Sequence, residues 1–182
     1  MNGTPKIILL CGNRRSGRSS MIRELLKETR FPVSGYRTCT LNTRPDGYHE
    51  IYMFPYGEAH PQPTEESHVG DCNTRERTIH TEVFDTLGVE LLNRHTGGIL
   101  VMDELGFMES EAELFCAAAL EKLNGPGPIL AAVRTSIETP FLREVLAVEN
   151  ALVVQMQPER FAEIYAQISP IVESWEQETV PC

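Results

Sequence analysis

Four short apolar runs punctuate the chain, at residues 6–11 (KIILLC), 99–102 (ILVM), 129–133 (ILAAV) and 151–155 (ALVVQ). Each is too short for a helix and apolar at nearly every position, the pattern of strands buried on both faces. Between them the period changes to that of helices. Residues 19–29 carry Met21, Ile22, Leu25 and Leu26 on one face. Residues 83–94 place Phe84, Leu87, Leu91 and Leu92 at helical spacing, and Gly97-Gly98 ends that segment. Residues 111–123 are rich in Ala and Glu, strong helix formers, and are broken by GPGP at 125–128. Thr139 with Pro140 behind it is a helix start. Residues 158–175 stripe Phe161, Ile164, Tyr165, Ile168, Val172 and Trp175, with Pro170 expected to kink or interrupt the helix. That stripe reads as core. Apolar strands alternating with helices predict an α/β fold with a mainly parallel sheet.

A second pattern departs from this alternation. Residues 33–41 and 48–55 are rich in β-formers and flank RPDG at 44–47, so a hairpin is expected there. Residues 57–78 are polar and carry two prolines, which reads as a long surface loop. With no repeat, low-complexity tract or linker, residues 1–182 are expected to form a single domain.

Charge narrows the partners. Sixteen Lys and Arg against 26 Asp and Glu give a net charge of −10. Neither a nucleic-acid coat nor an anionic membrane surface is an expected partner. The five cysteines, at 11, 39, 72, 116 and 182, form no Cys-x-x-Cys pair and make a poor disulfide or zinc framework. No secretory signal or spanning run is read, so a cytoplasmic, reducing location is expected.

The chemistry concentrates behind the first apolar run. Gly12, Asn13, Arg14, Arg15, Ser16, Gly17, Arg18, Ser19 and Ser20 match G-x-x-x-x-G-K-[ST], except that Arg18 takes the lysine position. Such a loop turns backbone N–H groups onto phosphate oxygens, and the helix that follows adds its positive end. Ser19 stands where a hydroxyl holds Mg²⁺, and Arg18 where a cation reaches the β- and γ-phosphates. Arginine is a planar fork rather than a compact point charge. Hydrolysis slower than a lysine loop would give is therefore expected.

The second apolar run ends in Asp103-Glu104. Ligands of open α/β sheets bind at the carboxyl ends of strands. Asp103 is the expected metal-side carboxylate, and Glu104 the expected general base for an attacking water. Arg134, just after the third apolar run, is placed either to touch phosphate in cis or to form a surface salt bridge.

Together these segments resemble the small P-loop nucleoside-triphosphatases termed cancer-related or thermophile nucleoside-triphosphatases. The resemblance runs through the loop at 12–20, GYRTCTL at 35–41, HVG at 68–70, ILVMDELGFMES at 99–110 and Pro158-Glu159, with DELGFME the most specific piece. It implies a three-layer P-loop fold and Mg²⁺-dependent hydrolysis of triphosphates of the ATP or GTP type, with broad base tolerance. Three departures stand out: Arg18 for lysine, Cys39-Thr40 where acidic residues are common, and Arg160 where Asn is common.

Two alternatives remain open. The protein binds nucleotide with little turnover because of Arg18, or it is a nucleotide or small-molecule kinase. A kinase needs a basic lid, and the acidic stretch 57–71 offers none. His60, His68, Cys72 and His80 crowd the polar stretch, but their spacing fits no standard zinc pattern, so no zinc site is expected.

Overall fold

The four apolar runs form the middle and one edge of a single sheet in the computed structural model, which describes residues 3–177. In chain order the strands are β1 (Ile7–Gly12), β2 (Val33–Thr43), β3 (His49–Pro55), β4 (His68–Cys72), β5 (Arg77–Ile79), β6 (Ile99–Leu105), β7 (Ile129–Arg134) and β8 (Ala151–Gln155). The spatial order is β5-β4-β3-β2-β6-β7-β1-β8. Strands β2, β6, β7, β1 and β8 run parallel, while β3, β4 and β5 are added antiparallel to the β2 side.

The helices are α1 (Arg18–Leu26), α2 (Thr81–Val83), α3 (Val89–Asn93), α4 (Glu113–Leu123), α5 (Pro140–Leu146) and α6 (Phe161–Gln177). Alternation along the strands divides the core into two layers. Ile8, Leu10, Val101, Leu130 and Ala132 pack with Met21, Ile22, Ile164, Ile168, Val172 and Trp175, under α1 and α6. Leu9, Cys11, Tyr36, Met102 and Leu105 pack with Leu91, Leu92, Phe115 and Leu142, under α3, α4 and α5. The result is a three-layer α/β sandwich. Among the described residues no helix is long and apolar enough to cross a membrane.

The hairpin forms as expected, with Arg44 N–H donating to Tyr48 O at 2.7 Å across the RPDG turn. The stripe of the last helix is core, and Trp175 Nε1 donates to Pro5 O at 2.8 Å. Three expectations are corrected. Residues 57–78 are not merely a loop, because they contain a 3₁₀ turn (Glu65–Ser67) and the strands β4 and β5. Outer antiparallel strands pair through backbone and bury only one face, so no apolar run announces them. The turn between them is closed by Asn73, whose Oδ1 accepts the Arg75 and Glu76 N–H groups at 2.7 and 2.6 Å.

The helix expected at 83–94 is α2 and α3 joined by a π-helical stretch, Phe84–Gly88. That stretch presents Asp85 to α4. Its Oδ1 accepts the Phe115 N–H at 2.9 Å, an open donor of a helix whose N-cap, Ala112, has no acceptor side chain. Finally, α6 runs through Pro170 without interruption.

Candidate active site

The loop predicted to hold phosphate crosses from the carboxyl end of β1 to the start of α1. Ser16 N–H donates to Asn13 O at 3.2 Å, closing a tight turn. A Cβ on Gly12 would overlap Ser16 Oγ, so only glycine allows the turn to fold back on the strand. Gly17 caps α1 in the left-handed region, and no side chain caps this helix. The N–H groups of its first turn therefore remain open toward the loop. Asn13, Arg14, Arg15 and Ser20 are exposed, whereas Ser16 and Arg18 are buried.

One apolar strand, β7, lies between β6 and β1, the strand that leads into the loop and its helix. Strand β7 carries Ala131 and Ala132 in its centre, and Ala132 lies on the layer of α1, in register with Asp103. Its small side chain lets α1 sit close to the sheet. Ser19 Oγ then donates to Asp103 Oδ1 at 2.7 Å, joining residues 84 positions apart in the chain. Asp103 is buried, and burial pushes its carboxyl up to about 6, with the Ser19 hydrogen bond opposing the rise.

Glu104 is the extra residue of a β-bulge: Asp103 pairs with Ala132 and Leu105 with Val133, leaving Glu104 unpaired between them. Bulges re-aim side chains, and this one turns two consecutive carboxylates toward the same end of the sheet. Glu104 Oε2 accepts an ion pair from Arg18 Nη2 at 3.0 Å, and Oε1 lies 3.6 Å from Arg134 Nη1. Arg134 thus joins the site through a carboxylate, as the salt-bridge alternative anticipated. Two guanidiniums lie over the Phe107 ring, Arg77 at 4.6 Å and Arg134 at 5.2 Å from its centre.

Sequence reasoning missed three residues. Tyr36 Oη donates to Glu104 O at 3.2 Å, and Thr38 Oγ1 donates to Asp103 O and accepts Glu104 N–H, at 3.4 and 3.3 Å. Both hold the backbone that carries the acidic pair. Their signal is the GYRT segment at 35–38, part of the GYRTCTL stretch that carries the family resemblance. The third is Glu109, fully enclosed, whose Oε1 accepts the Gly106 N–H. Burial pushes its carboxyl up to about 8, so it holds a proton at neutral pH. Its signal is the third acid in DELGFME.

Two buried polar atoms here have no partner, Ser16 Oγ and Arg18 Nη1. Orphaned donors in a glycine-bounded loop suit a polyanion with many acceptor oxygens. The Ser19 hydroxyl and Asp103 carboxylate also fit Mg²⁺. Octahedral ligands about 2.1 Å from the ion stand about 3 Å apart, close to the separation of these two oxygens.

The sequence profile of the NTPase family matches residues 7–169. Among solved structures, THEP1 from the hyperthermophile Aquifex aeolicus superposes with a TM-score of 0.67 at 15% identity, covering 92% of this chain and 98% of that one. A human cancer-related nucleoside triphosphatase superposes with a TM-score of 0.64 at 21% identity, covering 93% and 98%. Comparison with curated protein sequences gives no significant match.

Proposed function

Because the chain belongs to the NTPase family, we propose that it hydrolyses nucleoside triphosphates of the ATP or GTP type in a Mg²⁺-dependent reaction, with residues 1–182 acting as one P-loop domain. The observation that carries this reading is the 2.7 Å contact from Ser19 to Asp103, which brings the loop's hydroxyl and the carboxylate of β6 to one point. Ser19 and Asp103 would hold Mg²⁺, which supplies charge neutralisation at the β- and γ-phosphates.

The chain's own residues do the rest. Open N–H groups at the start of α1 receive phosphate oxygens. Arg18 exchanges Glu104 for phosphate, giving its orphaned Nη1 an acceptor. Glu104, released on one side, accepts the proton of the attacking water. Arg134 remains at its other oxygen, oriented by Phe107. Tyr36 and Thr38 keep the Asp103–Glu104 backbone in place throughout.

The test is phosphate release measured against each triphosphate, with and without Mg²⁺, alongside binding. Release that needs Mg²⁺ and Glu104 supports hydrolysis. Binding without release supports the second reading, a nucleotide-binding protein with little turnover. One observation favours that second reading: the loop cation is already engaged by Glu104. No triphosphate binding at all would sink both.

A further inference from the structure

The outer strands gather a second set of ligand-type side chains. His68 and Asp71 lie on β4, and His80 follows β5 directly. One nitrogen or oxygen from each of the three falls within 4.8 Å of the others. None of them belongs to the phosphate loop or to the acidic end of β6. We propose that His68, Asp71 and His80 form a binding site for a divalent transition-metal ion, with Zn²⁺ the best-suited ion.

The pairing of the strands explains why spacing along the chain concealed this set. Residues three apart on a regular strand face opposite sides. In β4, however, Ile51 pairs with Gly70 and the next residue, Tyr52, pairs with His68, so Val69 is one residue too many. This bulge brings His68 and Asp71 to one side, with His68 Nε2 at 3.2 Å from Asp71 Oδ1. His80 arrives from the partner strand, anchored by its N–H donating to Val69 O at 2.9 Å. Close approach of the two strands depends on Gly70, because a Cβ there, at φ 153°, would overlap the Thr78 carbonyl oxygen. The set differs from the four residues that crowd this stretch of the sequence, for which no zinc site was expected. His60 and Cys72 are not members, and Asp71 is.

The surroundings hold the ligands in place. Tyr52 stacks on the His68 ring at 4.8 Å, and the two imidazoles stand 5.1 Å apart. Side chains of His68, Asp71 and His80 are only 24%, 17% and 34% exposed. Glu82 Oε1 lies 3.5 Å from His80 Nδ1, adding a second carboxylate beside the same ring. Two imidazoles with a carboxylate are zinc-type donors rather than the all-oxygen set that Mg²⁺ takes. Tetrahedral ligands about 2.0 Å from zinc stand roughly 3.3 Å apart, so modest side-chain movement closes the set. Water would complete the coordination. A bound ion would tie β4 to the residue that opens α2.

The experiment uses the full chain without nucleotide. Zn²⁺ is titrated while the imidazole resonances of all five histidines are followed. His68 and His80 should shift at one equivalent, with a dissociation constant below about 10 µM, while His49, His60 and His95 stay put. Co²⁺ in place of Zn²⁺ should give a d–d spectrum without the near-ultraviolet thiolate band. Asp71→Asn and His80→Ala should each weaken Zn²⁺ at least about tenfold, and Cys72→Ser and Asp103→Asn should leave it unchanged. Circular dichroism establishes that each variant is folded. Because the resonances are read on the unaltered protein, a misfolded variant does not remove the test. Binding that shifts other histidines, carries a thiolate band, or is absent at that concentration overturns the proposal. Loss of zinc binding leaves phosphate release unaddressed, so the two readings fail separately.

Discussion

The Arg18 guanidinium and the Glu104 carboxylate meet at 3.0 Å, so the loop's cation and the carboxylate expected to activate water neutralise each other at rest. Arg18 is 7% exposed in its side chain and Glu104 27%, which makes this a partly desolvated pair rather than a surface contact. A nucleotide must therefore compete with Glu104 for Arg18.

Replacing Arg18 by Lys should weaken that competition. A lysine is a point charge without the fork that reaches both Glu104 and phosphate. Turnover of Arg18→Lys in saturating Mg²⁺ should rise about tenfold, with a smaller change in affinity, because placement of charge acts mainly on the transition state. Phosphate release and binding of both forms, measured side by side, check this. Equal rates would show that arginine serves the loop as well as lysine.

Glu104→Gln should separate binding from chemistry. The amide keeps the shape but cannot take a proton, so phosphate release should fall about 100-fold or more. Affinity should hold or tighten, because Arg18 and Arg134 both lose their competing carboxylate. Single-turnover release together with equilibrium binding decides the matter, and unchanged release would remove Glu104 from the base role.

Much of this centre was legible because local pattern encodes it. An apolar run followed by glycines, and another followed by Asp103-Glu104, need no distant information. What stayed hidden depends on pairing across the sheet. Strand β4 contributes only Val69 as a fully buried apolar residue, so its partners define it and its composition does not. Likewise the link from Ser19 to Asp103 depends on a helix crossing β7, and the joining of Arg134 to Arg18 depends on a bulge at Glu104. No spacing rule along one chain segment contains those relations.

Glu109 should make stability fall with rising pH. Its carboxyl moves from 4.5 to about 8 on folding, so the native state holds a proton that the unfolded chain has released. Stability from this group is complete below pH 4.5 and is lost as the pH rises through about 8. Asp103 acts in the same direction but is exhausted near 6, so the upper part of the window isolates Glu109. Glu109→Gln, which stays neutral, should be more stable than the parent at the alkaline end by roughly 1–3 kcal/mol. Urea unfolding across this window checks it. Parallel pH profiles for the two proteins would show that Glu109 is already ionised when folded.

Ala132→Leu should push α1 away from the sheet. Added methylenes in a packed layer cost about 1–3 kcal/mol. The stretched contact from Ser19 to Asp103 should also weaken Mg²⁺-nucleotide binding by more than nucleotide binding without metal. Thermal unfolding and binding with and without Mg²⁺ test both halves.

The exposed tip of the phosphate loop bears on how a substrate arrives at all. A triphosphate and a chain of net charge −10 repel each other at long range. At physiological ionic strength fields fade within about 8 Å. Inside that distance an incoming polyanion senses Arg14 and Arg15, which project from the loop, rather than the acidic bulk behind them. Two neighbouring arginines thus give a protein whose net charge would slow encounter an attractive port of entry at the loop. Added salt then has opposing effects on the rate of approach, screening the acidic surface as well as the port.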